Sequence, residues 1–140
     1  MEKIIITYDI NEDILKLRTK VFVDEQGFSI EDELSPNENE YIHCALYNDD
    51  KIIAYARLHI ENTKCHIQRV VVEKDYRRKG YGYKIMKALE KVANENNCNQ
   101  LYLHSQLQAV DFYKKNGYVT VGDNFYECGV LHCLMIKDIN

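Results

Sequence analysis

Residues 70–86, VVVEKDYRRKGYGYKIM, decide the fold. Three adjacent valines lead into a polar turn that carries Arg77, Arg78 and Lys79 just ahead of Gly80 and Gly82. From Tyr81 onward Ile85, Met86, Leu89, Val92 and Ala93 recur at helical spacing, so the stretch reads as strand, turn and helix. The first N–H groups of a helix have no internal partner, and the helix dipole adds positive potential there. Glycines let the backbone approach an anion closely, and successive amides form a concave nest. Arginine adds forked, charge-assisted hydrogen bonds to phosphate. Each part suits a pyrophosphate. The competing reading is a solvated turn before a helix, since a glycine pair alone is a weak signal. Two other phosphate loops fail: no G-x-x-x-x-G-K-[ST] string occurs, and Ile85 stands where a dinucleotide fingerprint has its third glycine.

Three local cations stand out because the chain as a whole is acidic, with formal net charge −4. That balance lacks the basic footprint of a nucleic-acid binder. At 140 residues, 46% apolar and 29% charged, the chain suits one globular domain over 1–140. No apolar run approaches the ~20 residues of a membrane span. Met1-Glu2-Lys3-Ile4 lacks signal-peptide features, which makes a cytoplasmic location the default expectation. Cys44, Cys65, Cys98, Cys128 and Cys133 are odd in number and contain no C-x-x-C, so structural thiols are expected rather than disulfides or a metal site.

Strands are expected at KIIITYD, YIHCALY, KIIAYARLHI, CHIQRVVV, QLYLHS, YVTVG and VLHCLMIKDI. Asn11-Glu12-Asp13 offers a cap and an acidic first turn for a helix that should break near Gly27. Ser29 to Glu40 is acidic, holds the only proline, and reads as a loop or short helix. LQAVDFYKKNG reads as a helix closed by Gly117. A strand on each side of the helix beginning at Tyr81 implies one parallel pair within a mostly antiparallel sheet, an α/β fold with helices on both faces.

Two motifs carry a family resemblance. Arg77-Arg78-Lys79-Gly80-Tyr81-Gly82 matches [QR]-x-x-G-x-[GA] at a helix start. Ala109-Val110-Asp111-Phe112-Tyr113-Lys114-Lys115-Asn116-Gly117-Tyr118 matches A-x-x-F-Y-x-x-x-G-[FY] after the next strand. In motif order, spacing and element order the chain resembles the GNAT superfamily of acyl-CoA-dependent N-acyltransferases over essentially its full length. VFVDEQ at 21–26 and FYECGVLH at 125–132 look like its small bacterial ElaA-like branch.

The resemblance implies acetyl-CoA as acyl donor, no metal, and a primary amine of a small molecule or peptide as acceptor; it also allows a homodimer. In such folds the strand carrying Val70, Val71 and Val72 splays from the strand carrying Leu101 to His104. Pantetheine would lie in the gap, with the pyrophosphate on Arg77, Arg78, Lys79, Gly80, Tyr81, Gly82 and Tyr83. An amide near Val71 or Val72 would stabilise the oxyanion. Tyr113 matches the position of the general acid; core packing is its alternative. The strand position that holds a carboxylate in many relatives is Gln68-Arg69 here, leaving His104, Glu25 and Glu33 as candidate bases, with His66 and His132 weaker. Gln106 replaces the asparagine that many relatives have three residues before the alanine. Glu25, Glu31, Asp32 and Glu33 would form an acidic acceptor wall, unless they are simply a solvated loop. Direct attack needs no cysteine nucleophile. A CoA-binding sensor without catalysis is the rival reading, motivated by the missing strand carboxylate.

Overall fold

The valines of the opening stretch end β4 (Lys64–Val72), and a helix, α3 (Tyr81–Glu95), starts after a short 3₁₀ turn. The computed structural model describes residues 1–139. The other strands are β1 (Glu2–Thr7), β2 (Ile42–Asn48), β3 (Lys51–Glu61), β5 (Gln100–Gln106), β6 (Val119–Glu127) and β7 (Val130–Asp138). They form one seven-stranded sheet in the order β1-β2-β3-β4-β5-β7-β6. Only β4 and β5 pair in parallel. The mixed, mostly antiparallel sheet expected from the sequence is the one observed.

Helices cover both faces. On one side Ile85, Met86, Leu89, Val92 and Ala93 of α3 are all buried, as their spacing requires, against Ala54, Leu58, Ile67 and Leu101 of the sheet. Tyr113, on α4 (Val110–Lys115), joins the same cluster. On the other side Ile14, Leu17, Val21 and Phe22 pack against Ala45, Tyr47, Tyr55 and Val71.

Two elements differ from the sequence reading. The first helix is α-helical only over α1 (Glu12–Arg18), started by an Asn11 side chain that accepts from the Ile14 amide at 2.8 Å. It continues as a π-helix over Thr19–Glu25, in which the Gln26 amide reaches the Val21 carbonyl at 3.0 Å. The wider turn seats Val21 and Phe22 together in the core, a demand of packing that hydrophobic spacing alone does not reveal. The sixth strand does not stop at Gly122 but runs to Glu127, crossing a register irregularity between Val121 and Phe125 where Gly122 has φ +74°.

The acidic segment folds as a short helix, α2 (Ile30–Glu33), capped by the Ser29 hydroxyl. Behind it lies a buried charge network. Arg18 is fully buried; its Nε meets Glu33 Oε1 at 2.5 Å, and its Nη1 and Nη2 grip Glu38 at 3.0 and 2.9 Å. Arg57 donates to Glu38 at 2.7 Å and to Gln68 Oε1 at 2.8 Å. Buried ions hold only when paired and hydrogen-bonded on every side, and here they tie α1, α2 and the sheet together.

Burial alone would raise the Glu38 carboxyl, but the Arg18 hydrogen bonds and charge, the Ser35 amide and Arg57 outweigh it and hold it at about 2. Because folding lowers it from 4.5, ionised Glu38 stabilises the fold above about pH 4.5, and that stabilisation fades as pH falls toward about 2. Urea midpoints measured across this range should drop on the acid side. Glu38→Gln should blunt that drop and cost about 3–5 kcal/mol at neutral pH. An unchanged midpoint in the variant would mean that the network contributes nothing net.

Candidate active site

β4 and β5 pair only from Lys64↔Gln100 to Ile67↔Leu103. Past that point β4 continues to Val72 and β5 to Gln106, unpaired with each other. The cause lies on the opposite edge of β4. There Tyr55 pairs with Val71 and Arg57 with Gln68, so Arg69 and Val70 together oppose Ala56. This is a β-bulge, and Arg69 takes φ +60°, a left-handed conformation that glycine usually fills. A bulge bends and twists its strand, here away from β5.

The gap opens into a cavity of about 470 Å³. Val70, Arg77, His104, Gln106, Tyr113 and Glu33 line it, together with residues to which the sequence reading gave no role in the site: Phe22, Cys128 and Glu127. Only strand pairing brings Glu127 there, because the β6–β7 hairpin folds back alongside β5. No local sequence signal marks it.

The three valines divide. The Glu73 amide donates to the Ile53 carbonyl at 2.8 Å, so Val71, paired with Tyr55, directs its backbone at β3. Its side chain is buried beneath α1. Val71 therefore leaves the cleft wall, contrary to expectation. Val72 has the opposite direction: its carbonyl points outward and accepts from Arg77 Nε at 2.9 Å.

The cationic turn also divides. Arg77 bridges the Val72 carbonyl and Glu25, the latter at 3.1 Å, so its guanidinium braces the turn rather than standing free for an anion. Arg78, at φ +62°, and Gly80, at φ +86°, curl the chain, and a Cβ on Gly80 would meet only open space. No side chain caps α3, and its first backbone hydrogen bond is made by Lys84. The amides of Tyr81, Gly82 and Tyr83 are thus left for another acceptor. Gly82 has a different reason to be glycine: a Cβ there would stand 2.8 Å from the Phe112 ring. The turn motif and the Phe-Tyr motif are in direct contact.

Tyr113 is only 8% exposed, and its ring packs edge-on against Phe112 and Tyr118. Burial pushes its hydroxyl above the usual tyrosine value, so it is protonated at neutral pH. Glu33 reaches the cavity, but its carboxylate already accepts from Arg18. Glu25 is tied to Arg77. Two of the four carboxylates of the expected acidic wall are thus paired, while Glu31 and Asp32 have no ion pair among the described residues and Asp32 lines the cavity. His104 differs: its Nδ1 lies 2.7 Å from Glu127 Oε2. A carboxylate accepting from Nδ1–H fixes the tautomer that leaves the Nε2 lone pair available. His66 stacks on Tyr102 at 4.4 Å, with His104 5.0 Å away. Burial first, and the neighbouring His104 second, hold His66 down at about 4. His132 donates from Nδ1 to the Val130 carbonyl at 2.7 Å. Gln106 bonds to Gln26 and Gln108 at 3.0 and 2.5 Å. Among the described residues there is no group of three or more His, Cys, Asp or Glu able to hold a metal, and no helix long and apolar enough to cross a membrane.

The fold as a whole is also found in known proteins. The family model for the acetyltransferase (GNAT) domain matches residues 11–139. This chain belongs to the GNAT acetyltransferase family. It is 38% identical over 133 residues to YjcF of Bacillus subtilis, an uncharacterized N-acetyltransferase, covering 91% of this chain and 95% of that protein. A crystal structure from Lactobacillus plantarum, provisionally assigned as an N-acetyltransferase, superposes with TM-score 0.91 at 27% identity over 99% of both chains. Escherichia coli ElaA shares the fold with TM-score 0.80 at 23% identity, over 98% of this chain and 99% of its own. As a GNAT protein, the chain is an acyltransferase.

The histidine pair gives this acetyltransferase a spectroscopic handle. In a proton NMR titration the His66 ring should change state near pH 4. His104→Ala should raise that midpoint only partly, because burial is the larger cause. A midpoint near the ordinary histidine value in the intact protein would show that His66 is open to water.

Proposed function

We propose that this GNAT protein moves an acetyl group from acetyl-CoA to a primary amine of a small molecule or peptide by direct attack in a ternary complex. The observation that carries this reading is the gap between β4 and β5, a cavity lined by Tyr113 and by Arg77 of the turn that leads into the uncapped start of α3. Pantetheine lies along the free edge at Val70 and Val72. The pyrophosphate sits on the Tyr81, Gly82 and Tyr83 amides, with Arg78 and Lys79 supplying charge and Arg77 holding the turn in shape.

His104 Nε2 takes a proton from the ammonium of the acceptor, directly or through water, and Glu127 stabilises the imidazolium that results. The freed amine attacks the thioester carbon. A C–N bond forms, and the carbonyl oxygen becomes an oxyanion that the Val72 amide faces. Collapse breaks the C–S bond, Tyr113 passes its hydroxyl proton to the departing thiolate, and the second proton lost by the amine nitrogen returns through water to restore the Tyr113 hydroxyl, so that the net proton released is the one held by His104. No acyl-enzyme is needed. Cys44, Cys65, Cys98 and Cys133 are buried, and only Cys128 is exposed. The His104–Glu127 pair supplies a base where the strand lacks a carboxylate, which weakens the case for a sensor that binds CoA without turning it over.

Two experiments bear on this reading. Gly80→Asp and Gly80→Asn both tolerate a left-handed backbone and differ only in charge. The Asp variant should bind acetyl-CoA at least tenfold more weakly than the Asn variant by calorimetry, and equal affinities would remove the pyrophosphate from this turn. Tyr113→Phe deletes one hydroxyl and keeps the ring. Turnover should fall on the order of a hundredfold with little change in acetyl-CoA affinity, using an acceptor found by screening amines. A variant within about twofold of wild type would make Tyr113 a packing residue.

A further inference from the structure

Arg69 occupies the one residue of β4 that the bulge forces into a left-handed backbone, and it lines the cavity. That conformation is strained for a non-glycine residue, so its side chain is held there at the expense of the backbone. Arg69 is also the outermost cation of the buried network. Arg18, Arg57 and Arg69 face only two carboxylates, Glu33 and Glu38, an excess of one positive charge. His43 does not alter that balance as a cation, because burial lowers its imidazole and favours the neutral ring.

Its hydrogen bonds show the same shortage. Arg69 Nε and Nη2 donate only to backbone carbonyls, those of Glu33 at 3.3 and 3.1 Å and of Asp32 at 3.1 Å. The nearest ion-pairing carboxylate oxygen, Glu33 Oε1, is 4.0 Å away and already accepts from Arg18. Nη1, with two N–H groups, has no acceptor among the described residues. The side chain is about 25% exposed, and the guanidinium lies 5.9 Å over the Phe22 ring, which holds its plane. Two other carboxylates line this cavity: Glu127 from β6, taken by His104, and Asp32, whose carbonyl accepts from Arg69 but whose carboxylate lies outside ion-pairing distance of it.

From this arrangement we infer that Arg69 binds a carboxylate carried by the acceptor, so that the substrate class is an amine that is also an acid, such as an amino acid. The inference rests on the acetyl-transfer reading and sharpens it. One end of the cavity offers a fixed, undersaturated guanidinium. Another offers the imidazole that relieves the amine of its proton. A zwitterionic acceptor answers both, and its carboxylate supplies the anion that the network lacks. Guanidinium–carboxylate pairing of this partly dry kind is directional and strong.

The test uses glycine, β-alanine and 4-aminobutyrate, each beside its methyl ester, with acetyl-CoA and the release of free thiol as readout. At least one acid should exceed its own ester in kcat/KM by about 10- to 100-fold, the range expected for a hydrogen bond to a charged group. The amine of an ester loses its proton more readily, so the chemical bias runs against this outcome. Arg69→Met should bring the ratio to about one. Arg69→Lys keeps the charge but not the fork, and should lower the ratio while leaving acetyl-CoA affinity and the thermal midpoint in place. Equal use of acids and esters by the wild type would overturn the inference even if transfer is efficient. The site can also be read without turnover, by following the Arg69 side-chain ¹⁵N resonances during titration with acetate. A saturable shift that disappears in Arg69→Lys supports the carboxylate site even if no amine is acetylated, an outcome that would instead sink the transfer reading. No shift rejects the carboxylate site directly.

Discussion

The single extra residue in β4 governs the rest of this structure. With Arg69 and Val70 opposing Ala56, the strand satisfies β3 on one edge and turns away from β5 on the other. Without the bulge the parallel pair would zip to its end and the cavity would close. A sheet normally tolerates no such rift, because unpaired backbone groups inside a protein are expensive. Here the rift ends at a helix start that is itself left without a cap. The unpaired stretch of β4 and the uncapped start of α3 are joined by the turn whose Arg77 lines the cavity.

Contact between distant motifs makes this opening a unit. Gly82 is small because the Phe112 ring presses on the first turn of α3, and Phe112 is the neighbour of Tyr113. Moving the helix would move the tyrosine. The Arg77 guanidinium likewise joins the turn to the end of β4 and to Glu25 on the π-helical segment. Placement of the reacting groups therefore depends on packing and on bracing bonds as much as on the residues that would touch substrate.

What could be read from the chain depended on the range of the interaction. The order of elements along the chain, the parallel pair and α3 followed from short-range patterns such as the buried spacing of Ile85, Met86 and Leu89, and the two motifs located the turn and Tyr113. Direction along β4 was not legible, since three consecutive valines look alike until the bulge sets which one faces the gap; that is why Val71 was misplaced. The partners of charges were equally hidden. Arg77, Glu25 and Glu33 read as ligand-facing groups, yet each has a partner far away in sequence. Glu127 could not be found, because its approach to His104 exists only after β6 and β7 have paired across the sheet.

The same distinction bears on the charge of the site. Counted by sequence, the segment from Glu25 to Glu33 is strongly acidic and suggests a cationic acceptor with nothing else to recognise. Counted by contact, Glu33 and Glu25 are spent on Arg18 and Arg77, Asp32 at the cavity rim keeps its carboxylate without an ion pair among the described residues, and the unfilled fork of Arg69 faces the same cavity as the ordered imidazole of His104. An acidic composition has thus been folded into a cavity with a cationic corner. The strain at Arg69 belongs to this argument: a glycine would serve the bulge at lower backbone cost, but it would leave the Asp32 carbonyl without its donor, the Glu33 carbonyl with Arg18 alone, and the cavity without its guanidinium.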